Sequence, residues 1–254
     1  MITISKIIRL LTSTFLSLGI IFRKNMNQGK LYVVATPIGN LGDMTLRGIE
    51  TIKGADFILC EDTRVTSNLL NHFEIKKELV SFNAQSESHK IERILERISE
   101  GTSAALVSDA GTPCISDPGI RLVNAAIKKR IEVCGIPGAN AAILALSISG
   151  LPTDSFIFEG FLPQKKGRQK LLKQLAEENR TVVLYESAYR IEKLLEELKV
   201  YMPGRSIVVQ RELTKKFEEA WRGTPEEILS EFETKTIKGE FVVVISPKEW
   251  IERE

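Results

Sequence analysis

The sequence has few of the residues that build metal and disulfide sites. Its 254 residues include 3 cysteines and 2 histidines. Cys60, Cys114 and Cys134 form no C-x-x-C pair, and neither His72 nor His89 has a histidine or cysteine at ligand spacing. No disulfide framework and no metal site are expected, and the thiols read as reduced core residues of a cytoplasmic protein. An excess of one charge is also missing, since 35 Lys and Arg face 33 Asp and Glu. A general polyanion binder would carry a basic surplus, so any nucleic-acid contact must be local. No G-x-G-x-x-G follows a strand, and neither G-x-x-x-x-G-K-[ST] nor G-x-S-x-G occurs. A Rossmann dinucleotide site, a Walker phosphate loop and a nucleophile elbow are therefore unsupported. An enzyme with these gaps would join two bound substrates directly, as group transfer from a carrier does.

The longest uncharged apolar run, Leu10–Phe22, is too short for a membrane span of about 20 residues. It resembles the core of a signal peptide, but no small-x-small cleavage site follows it. Met26 lies just before the first clear strand and is the expected start, which makes residues 1–26 an upstream extension. A leader or amphipathic segment is the alternative.

Beyond that extension, short β-branched runs alternate with helical stretches, the pattern of an α/β protein with largely parallel sheets and flanking helices. Strands are expected at Leu31–Ala35, Asp56–Cys60, Leu79–Phe82, Ala104–Ser108 and Ile131–Cys134. Ile91, Ile94, Leu95 and Ile98 recur at helical spacing, and the apolar stretch Ala139–Ser149 should be a buried helix. The pattern breaks at Ser149-Gly150-Leu151-Pro152. A second set of strands then begins, at Phe156–Glu159, Thr181–Tyr185, Ser206–Arg211 and Phe241–Ile245. Two domains are expected, at 27–149 and 150–254.

The unusual chemistry falls where strands end, which is where open α/β sheets bind ligands. The first strand runs into Thr36–Asp43 (TPIGNLGD), the second into Cys60–Arg64 (CEDTR), the fourth into Ser108–Gly119 (SDAGTPCISDPG) and the fifth into Gly135–Asn140 (GIPGAN). Each Gly and Pro alone is turn chemistry. Together, such turns on one sheet edge would expose backbone N–H groups around a crevice suited to a small ligand with a carboxylate and ribose hydroxyls. Asp109 reads either as a helix N-cap or as a carboxylate presented at a strand tip. Glu61, Asp62 and Arg64 read either as a cap with an i,i+2 charge pair or as catalytic groups. In the second half, Lys165, Lys166, Arg168 and Lys170 gather without an acid, either as a solvated basic loop or as a contact for RNA phosphates.

The motifs PIGNLGD, EDTR, VSDAGTPxISDPG, PGANAAxxALSxSGLP, FxFEGFLP, YES, RELTK and KGEF, in this order from Gly29 to about Pro247, resemble those of the ribosomal RNA small subunit methyltransferase I family. That family lies in the tetrapyrrole methylase superfamily. The resemblance implies a two-domain α/β enzyme, working as a homodimer, that binds S-adenosylmethionine in the interdomain cleft. It also implies 2′-O-methylation of a cytidine in the decoding region of 16S rRNA within the 30S subunit. Position by position, it implies cofactor contacts at Pro37, Ile38, Gly39, Asp109, Gly111, Thr112, Pro113, Pro137, Gly138, Ala139 and Asn140, with Tyr185, Leu213 and Glu240 closing over them. Many relatives continue past KGEF as a small helical domain, so RNA affinity here should lean on the Lys165–Lys170 loop and on pairing of two copies.

Methyl transfer to a hydroxyl needs alignment and a proton acceptor within roughly 2.6–3.2 Å. The candidates by position and residue type are Asp62 and Glu61, then Glu186, Glu212 and Lys215, with Arg64 orienting a carboxylate or holding a phosphate. Two rival readings are a methylase of a tetrapyrrole or other small molecule and a non-catalytic nucleotide- or RNA-binding module.

Overall fold

The computed structural model describes residues 29–83, 87–232, 235 and 237–250; the apolar N-terminal run and Met26 lie outside them. Contacts divide the chain into two compact units. One holds the described residues through Ala35 together with Thr45–Pro137, and the other holds Thr36–Met44 and Gly138 onward. The boundary expected near Gly150 differs from this division in two segments, Thr36–Met44 and 138–149, both of which belong with the second unit.

In the first unit, β1 (Lys30–Val34), β2 (Phe57–Cys60), β3 (Glu78–Ser81), β4 (Ala104–Val107) and β5 (Glu132–Ile136) form one sheet in the order β3-β2-β4-β1-β5. Every pairing is parallel. The central strands explain their own sequences. All four residues of β2 and all four of β4 are buried, because a parallel sheet is covered on both faces and its strands become continuous apolar runs. Helices α1 (Leu46–Gly54), α2 (Thr63–His72), α3 (Glu87–Ser99) and α4 (Ile120–Lys128) complete the unit. Ile94, Leu95 and Ile98 of α3 pack with Leu122 and Ala126 of α4 on Leu31, Phe57, Leu59 and Leu106, which accounts for the helical spacing read in α3. The cysteines are free, with Cys60 buried and Cys114 and Cys134 half-buried.

Besides Thr36–Met44, the second unit contains α5 (Ala141–Ser147), β6 (Phe156–Phe161), α6 (Arg168–Ala176), β7 (Thr181–Ser187), α7 (Ile191–Tyr201), β8 (Ile207–Arg211), β9 (Glu219–Gly223), α8 (Pro225–Phe232) and β10 (Glu240–Ile245). Its sheet, ordered β6-β7-β10-β8-β9, is mixed. Only β6 and β7 run parallel, and the other three pairings are antiparallel. Strand alternation sorts its side chains onto two faces. Val182, Leu184, Ile207, Val209, Val243 and Ile245 meet α6, α7 and α8. Val183, Val208, Val242 and Val244 face the other way and meet α5. Helix α5 was expected to be buried throughout, yet it buries one stripe, Ala142, Ala145 and Leu146, while Ile143 stays 52% exposed. The 3.6-residue period turns Ile143 away from the sheet.

Strand β9 had no counterpart in the sequence reading. It lies at the sheet edge and contributes one large apolar side chain, Trp221, which packs against Phe232 at 4.9 Å between ring centroids. Charged neighbours at an edge strand hide the alternation that marks a strand.

Candidate functional site

All strands of the first sheet run parallel, so the carboxyl ends of β1, β2, β4 and β5 share one edge. The loops leaving β2 and β4 bring four carboxylates together there. Asp62 caps α2, its Oδ1 accepting from the Arg64 N–H at 2.8 Å. The Arg64 guanidinium closes on the same carboxylate, with Nη2 to Oδ2 at 2.6 Å. These bonds hold Asp62 down at about 2, so Asp62 is a cap and the anion of an ion pair, and a weak proton acceptor. Asp109 Oδ1 accepts from the Asp62 N–H at 3.1 Å, tying the β4 loop to the start of α2. Burial raises Asp109, and the nearby Asp62 charge adds to the rise. Glu61 behaves oppositely to its neighbour Asp62. Burial and the charges of Asp109, Asp117 and Asp62 push it above the usual carboxylate range, as expected for like charges sharing a site.

Asp117 is a member of this cluster that the sequence reading did not single out. It accepts from the Ser108 hydroxyl at 2.6 Å, and burial raises it. The sequence signal was present in the repeated Ser-Asp of the β4 loop, Ser108-Asp109 and Ser116-Asp117. That loop is also strained. Cys114 and Ser116 adopt left-handed backbones (φ 70° and 63°), a conformation that costs a non-glycine residue about 1–3 kcal/mol and concentrates at functional sites. Gly111, at φ 86°, adopts its turn at no such cost.

In the second unit, several of the expected cofactor residues converge. Ile38 and Leu213 are buried in one cluster with Ala142, Ala145 and Val242, and Ala139 and Tyr185 pack against it. The Tyr185 hydroxyl accepts from the Ala142 N–H at 3.1 Å, and the ring stands edge-on to Phe158 and Phe161 at 5.0 and 5.6 Å. Asn140 spends its Oδ1 capping α5, accepting from the Ile143 N–H at 3.1 Å. Pro37 and Gly39 flank Ile38. A Cβ on Gly39 would stand 2.3 Å from Lys215 Cγ and 3.0 Å from Thr214 Oγ1, so no larger residue fits that backbone without moving the loop after β8.

Lys215 joins the two remaining acids of this group. Its Nζ bonds Glu212 Oε1 at 2.9 Å and Glu240 Oε2 at 2.8 Å. Glu212 and Glu240 are also bonded directly, the Glu212 N–H donating to the Glu240 C=O at 3.0 Å and the Glu240 N–H to the Glu212 side-chain Oε1 at 3.1 Å. Burial acts against the Lys215 cation, but the bonds to Glu240 and Glu212 outweigh it and raise Lys215. Burial likewise opposes the Glu212 anion, and the Lys215 bond overcomes it and lowers Glu212. The trio is a set charge arrangement, and neither Glu212 nor Lys215 is poised to accept a proton. Glu212 and Thr214 repeat the strain seen after β4, with φ of 51° and 67°.

Two sequence-selected residues sit elsewhere. Glu186 faces the helical side of the sheet, 2% exposed, and holds Arg190 at 2.7 Å and Arg168 at 3.9 Å. Arg168 had been grouped with Lys165, Lys166 and Lys170 as a contact for RNA phosphate. Instead it is 3% exposed and bonds Glu197 at 2.7 Å, while its Nη1 donates to the Pro163 carbonyl at 3.2 Å. The basic loop therefore offers the exposed Lys165 and Lys166, followed by Lys170 on α6, with Arg168 as its anchor. The strand period accounts for the Glu186 placement: one residue along from Tyr185 points to the opposite face.

A model of the tetrapyrrole (corrin/porphyrin) methylases matches residues 30–229, which sets the class. Within that class the chain belongs to the ribosomal RNA small subunit methyltransferase I family. It is 48% identical over 225 residues to the ribosomal RNA small subunit methyltransferase I of Halalkalibacterium halodurans, covering 88% of this chain and 78% of that one. It is 47% identical over 221 residues to the protein of that name from Thermotoga maritima, covering 87% of this chain and 100% of that one. Among solved structures, a cobalt precorrin-4 methyltransferase of cobalamin biosynthesis matches with a TM-score of 0.62 and 19% identity, over 85% of this chain and 94% of that one. A uroporphyrin-III C-methyltransferase from Thermus thermophilus, complexed with S-adenosylhomocysteine, matches with a TM-score of 0.60 and 18% identity, over 85% and 97%. At these identities the structural matches describe the fold. No group of acids, histidines and cysteines among the described residues is arranged to hold a metal ion, and no helix among them is long and apolar enough to cross a membrane.

Proposed function

We propose that the chain transfers a methyl group from S-adenosylmethionine to the ribose 2′-oxygen of a cytidine in the decoding region of 16S rRNA. It would act on the 30S subunit, in the cytoplasm, as a homodimer. The observation that carries this reading is the 47–48% identity, over nearly nine-tenths of the chain, to relatives named for methylation of small-subunit rRNA.

The residues fit the methyl donor. Ala139, half-buried against the cluster that holds Ile38 and Leu213, offers apolar surface for an adenine. Gly39 leaves backbone accessible where a side chain would clash. The trio of Glu212, Glu240 and Lys215 carries a net negative charge beside that glycine, which suits a cationic sulfonium. When bound, S-adenosylmethionine supplies an electrophilic methyl group, and the chain does the rest. Tyr185 fixes the start of α5 through Ala142 and keeps the apolar cluster in place. Glu61 is the preferred proton acceptor for the ribose hydroxyl. Burial and the neighbouring carboxylates raise its carboxyl, whereas Asp62 is spent on Arg64.

The test is nucleoside mass spectrometry of small-subunit rRNA after purified 30S particles lacking the modification are incubated with the protein and methyl-labelled S-adenosylmethionine. Label in one 2′-O-methylcytidine is expected, and Glu61→Gln should lose turnover while keeping donor affinity. Label that stays out of the rRNA but enters a uroporphyrinogen would move the chain to the small-molecule methylases. Donor binding without transfer to either would make it a binding module.

A further inference from the structure

Strands β6 and β7 run parallel, with Phe161 opposite Tyr185, so the segments that leave them emerge side by side. After β6 comes Pro163–Ala176, a stretch with no acid that contains Lys165, Lys166, Arg168, Lys170 and Lys173. After β7 a tight turn, Ala188-Tyr189-Arg190, leads directly into α7. At its apex Tyr189 is 98% exposed. A turn of this kind calls for Gly, Asn or Asp, and a tyrosine with almost no contacts contributes nothing to the core.

Phe161 is the second exposed aromatic at this corner, 53% exposed at the very end of β6. A β-bulge puts it there. The register slips between Phe158 and Gly160, and the extra residue, Glu159, brings Phe161 onto the same face as Phe158. Both rings then lean on Tyr185, and the Arg190 guanidinium lies over the Phe161 ring at 6.0 Å from its centre.

Beneath the surface the two segments are locked together. Glu186 bonds Arg190 of the β7 turn at 2.7 Å and approaches Arg168 of the β6 segment at 3.9 Å, and Arg168 in turn holds the Pro163 carbonyl at 3.2 Å. The buried charges neutralise one another, and two aromatic rings and a strip of lysines reach solvent, with Glu159 and Glu192 also exposed in the same segments. An open groove along α6, lined by Gln169, Lys170, Lys173, Gln174 and Glu177, continues the strip.

We propose that this corner is a platform for single-stranded RNA, on which an unpaired base stacks against Tyr189 and Phe161 while Lys165, Lys166 and Lys170 hold the neighbouring phosphates. Exposed aromatic faces beside a basic track are what an unpaired strand requires, because every base has a face to stack and every nucleotide a phosphate to neutralise. The platform rests on the methylation reading for its source of RNA and extends it. Phe161 touches Tyr185, a member of the cluster proposed for the methyl donor, so a strand seated here is held next to that cluster.

The experiment measures fluorescence anisotropy of a labelled, unstructured, cytidine-containing RNA 12-mer and of its duplex, alongside labelling of 30S particles, donor affinity and solution mass. The wild-type protein should prefer the single strand. Tyr189→Ala should weaken that binding about 10-fold, in the range that the loss of one stacked base produces, and Tyr189→Phe should restore it. Lys165→Glu combined with Lys166→Glu should flatten the salt dependence by about 1.4 in log–log slope. Donor affinity and solution mass should stay unchanged in all of them.

If the wild-type protein labels 30S rRNA while Tyr189→Ala binds the single strand as tightly as wild type, the platform is wrong and the methylation reading stands. If Tyr189→Ala weakens RNA binding but wild-type protein labels no rRNA, the platform stands and the methylation reading falls. Absence of any single-strand binding by the wild-type protein overturns the platform, and the labelling of 30S particles then decides the methylation reading by itself. A change in solution mass on Tyr189→Ala would assign the turn to contact between two copies and overturn the platform.

Discussion

Gly39→Ala tests the tightest approach in the candidate donor site. Gly39 is not among the glycines with a positive φ, so alanine suits the backbone and the conflict is one of space alone. The added Cβ would lie 2.3 Å from Lys215 Cγ, 3.0 Å from Thr214 Oγ1 and 3.1 Å from Lys215 Cε. Lys215 cannot swing aside freely, because its Nζ is bonded to both Glu212 and Glu240 and its obstructing atom is the stem of the side chain. Insertion of one methyl into a packed contact costs about 1–3 kcal/mol. In a chain of this size that corresponds to about 2–4 °C of Tm for each kcal/mol. The same displacement should weaken S-adenosylmethionine binding. The decisive assay is a double-mutant cycle followed by urea denaturation. Lys215→Ala deletes Cγ and Cε, so on that background Gly39→Ala should keep only the smaller penalty of its 3.0 Å approach to Thr214 Oγ1, leaving a coupling energy of about 1–3 kcal/mol. An equal penalty on both backgrounds, within about 0.5 kcal/mol, would refute the argument from the Gly39–Lys215 contact.

Two further outcomes follow from the charge placements. Arg168→Ala removes the buried cation that Glu197 and Glu186 share, and urea unfolding should report a loss of about 3–5 kcal/mol, against a change within about 0.5 kcal/mol for Lys166→Ala on the surface. Similar effects for the two would mean that Arg168 is not the anchor of its loop. Carboxyl resonances followed by NMR should show Asp62 titrating near 2 and Glu61 above the ordinary glutamate range, with Arg64→Ala letting Asp62 return toward its ordinary 3.8. Because the folded value of Asp62 is depressed, its contribution to stability is complete above 3.8 and is lost as pH falls through about 2. An Asp62 resonance that titrates near 3.8 in the unaltered protein would rule out the Arg64 clamp.

Local physics made much of this protein legible without coordinates. The Asp62 cap stood as one of two readings, whereas the buried runs of β2 and β4 and the helical stripe of α3 depend on neighbours within a few residues, and pattern alone identifies them. So did the candidate loops, because Gly and Pro at the ends of strands mark turns wherever the chain later goes. Strand β9 escaped because a single tryptophan among charges carries no period, and Asp117 escaped because nothing near it in sequence reports burial.

The alternation of α/β elements, the sheet edge that carries the carboxylates and the motifs shared with the methyltransferase family were determined by the sequence alone. Only the tertiary structure decided which charges are spent. Asp62 and Glu61 are adjacent in the chain, yet the Arg64 guanidinium clamps one while burial beside Asp109 and Asp117 raises the other. Arg168 stands among lysines in the sequence and is buried among acids in the fold, which leaves Tyr189 and Phe161 as the exposed rings beside the remaining cations. The reason is one of range. Caps, turns, strand periods and the i,i+2 pair of Asp62 and Arg64 are settled within a few residues, whereas burial and the longer-range ion pairs depend on segments that only folding brings within about 4 Å.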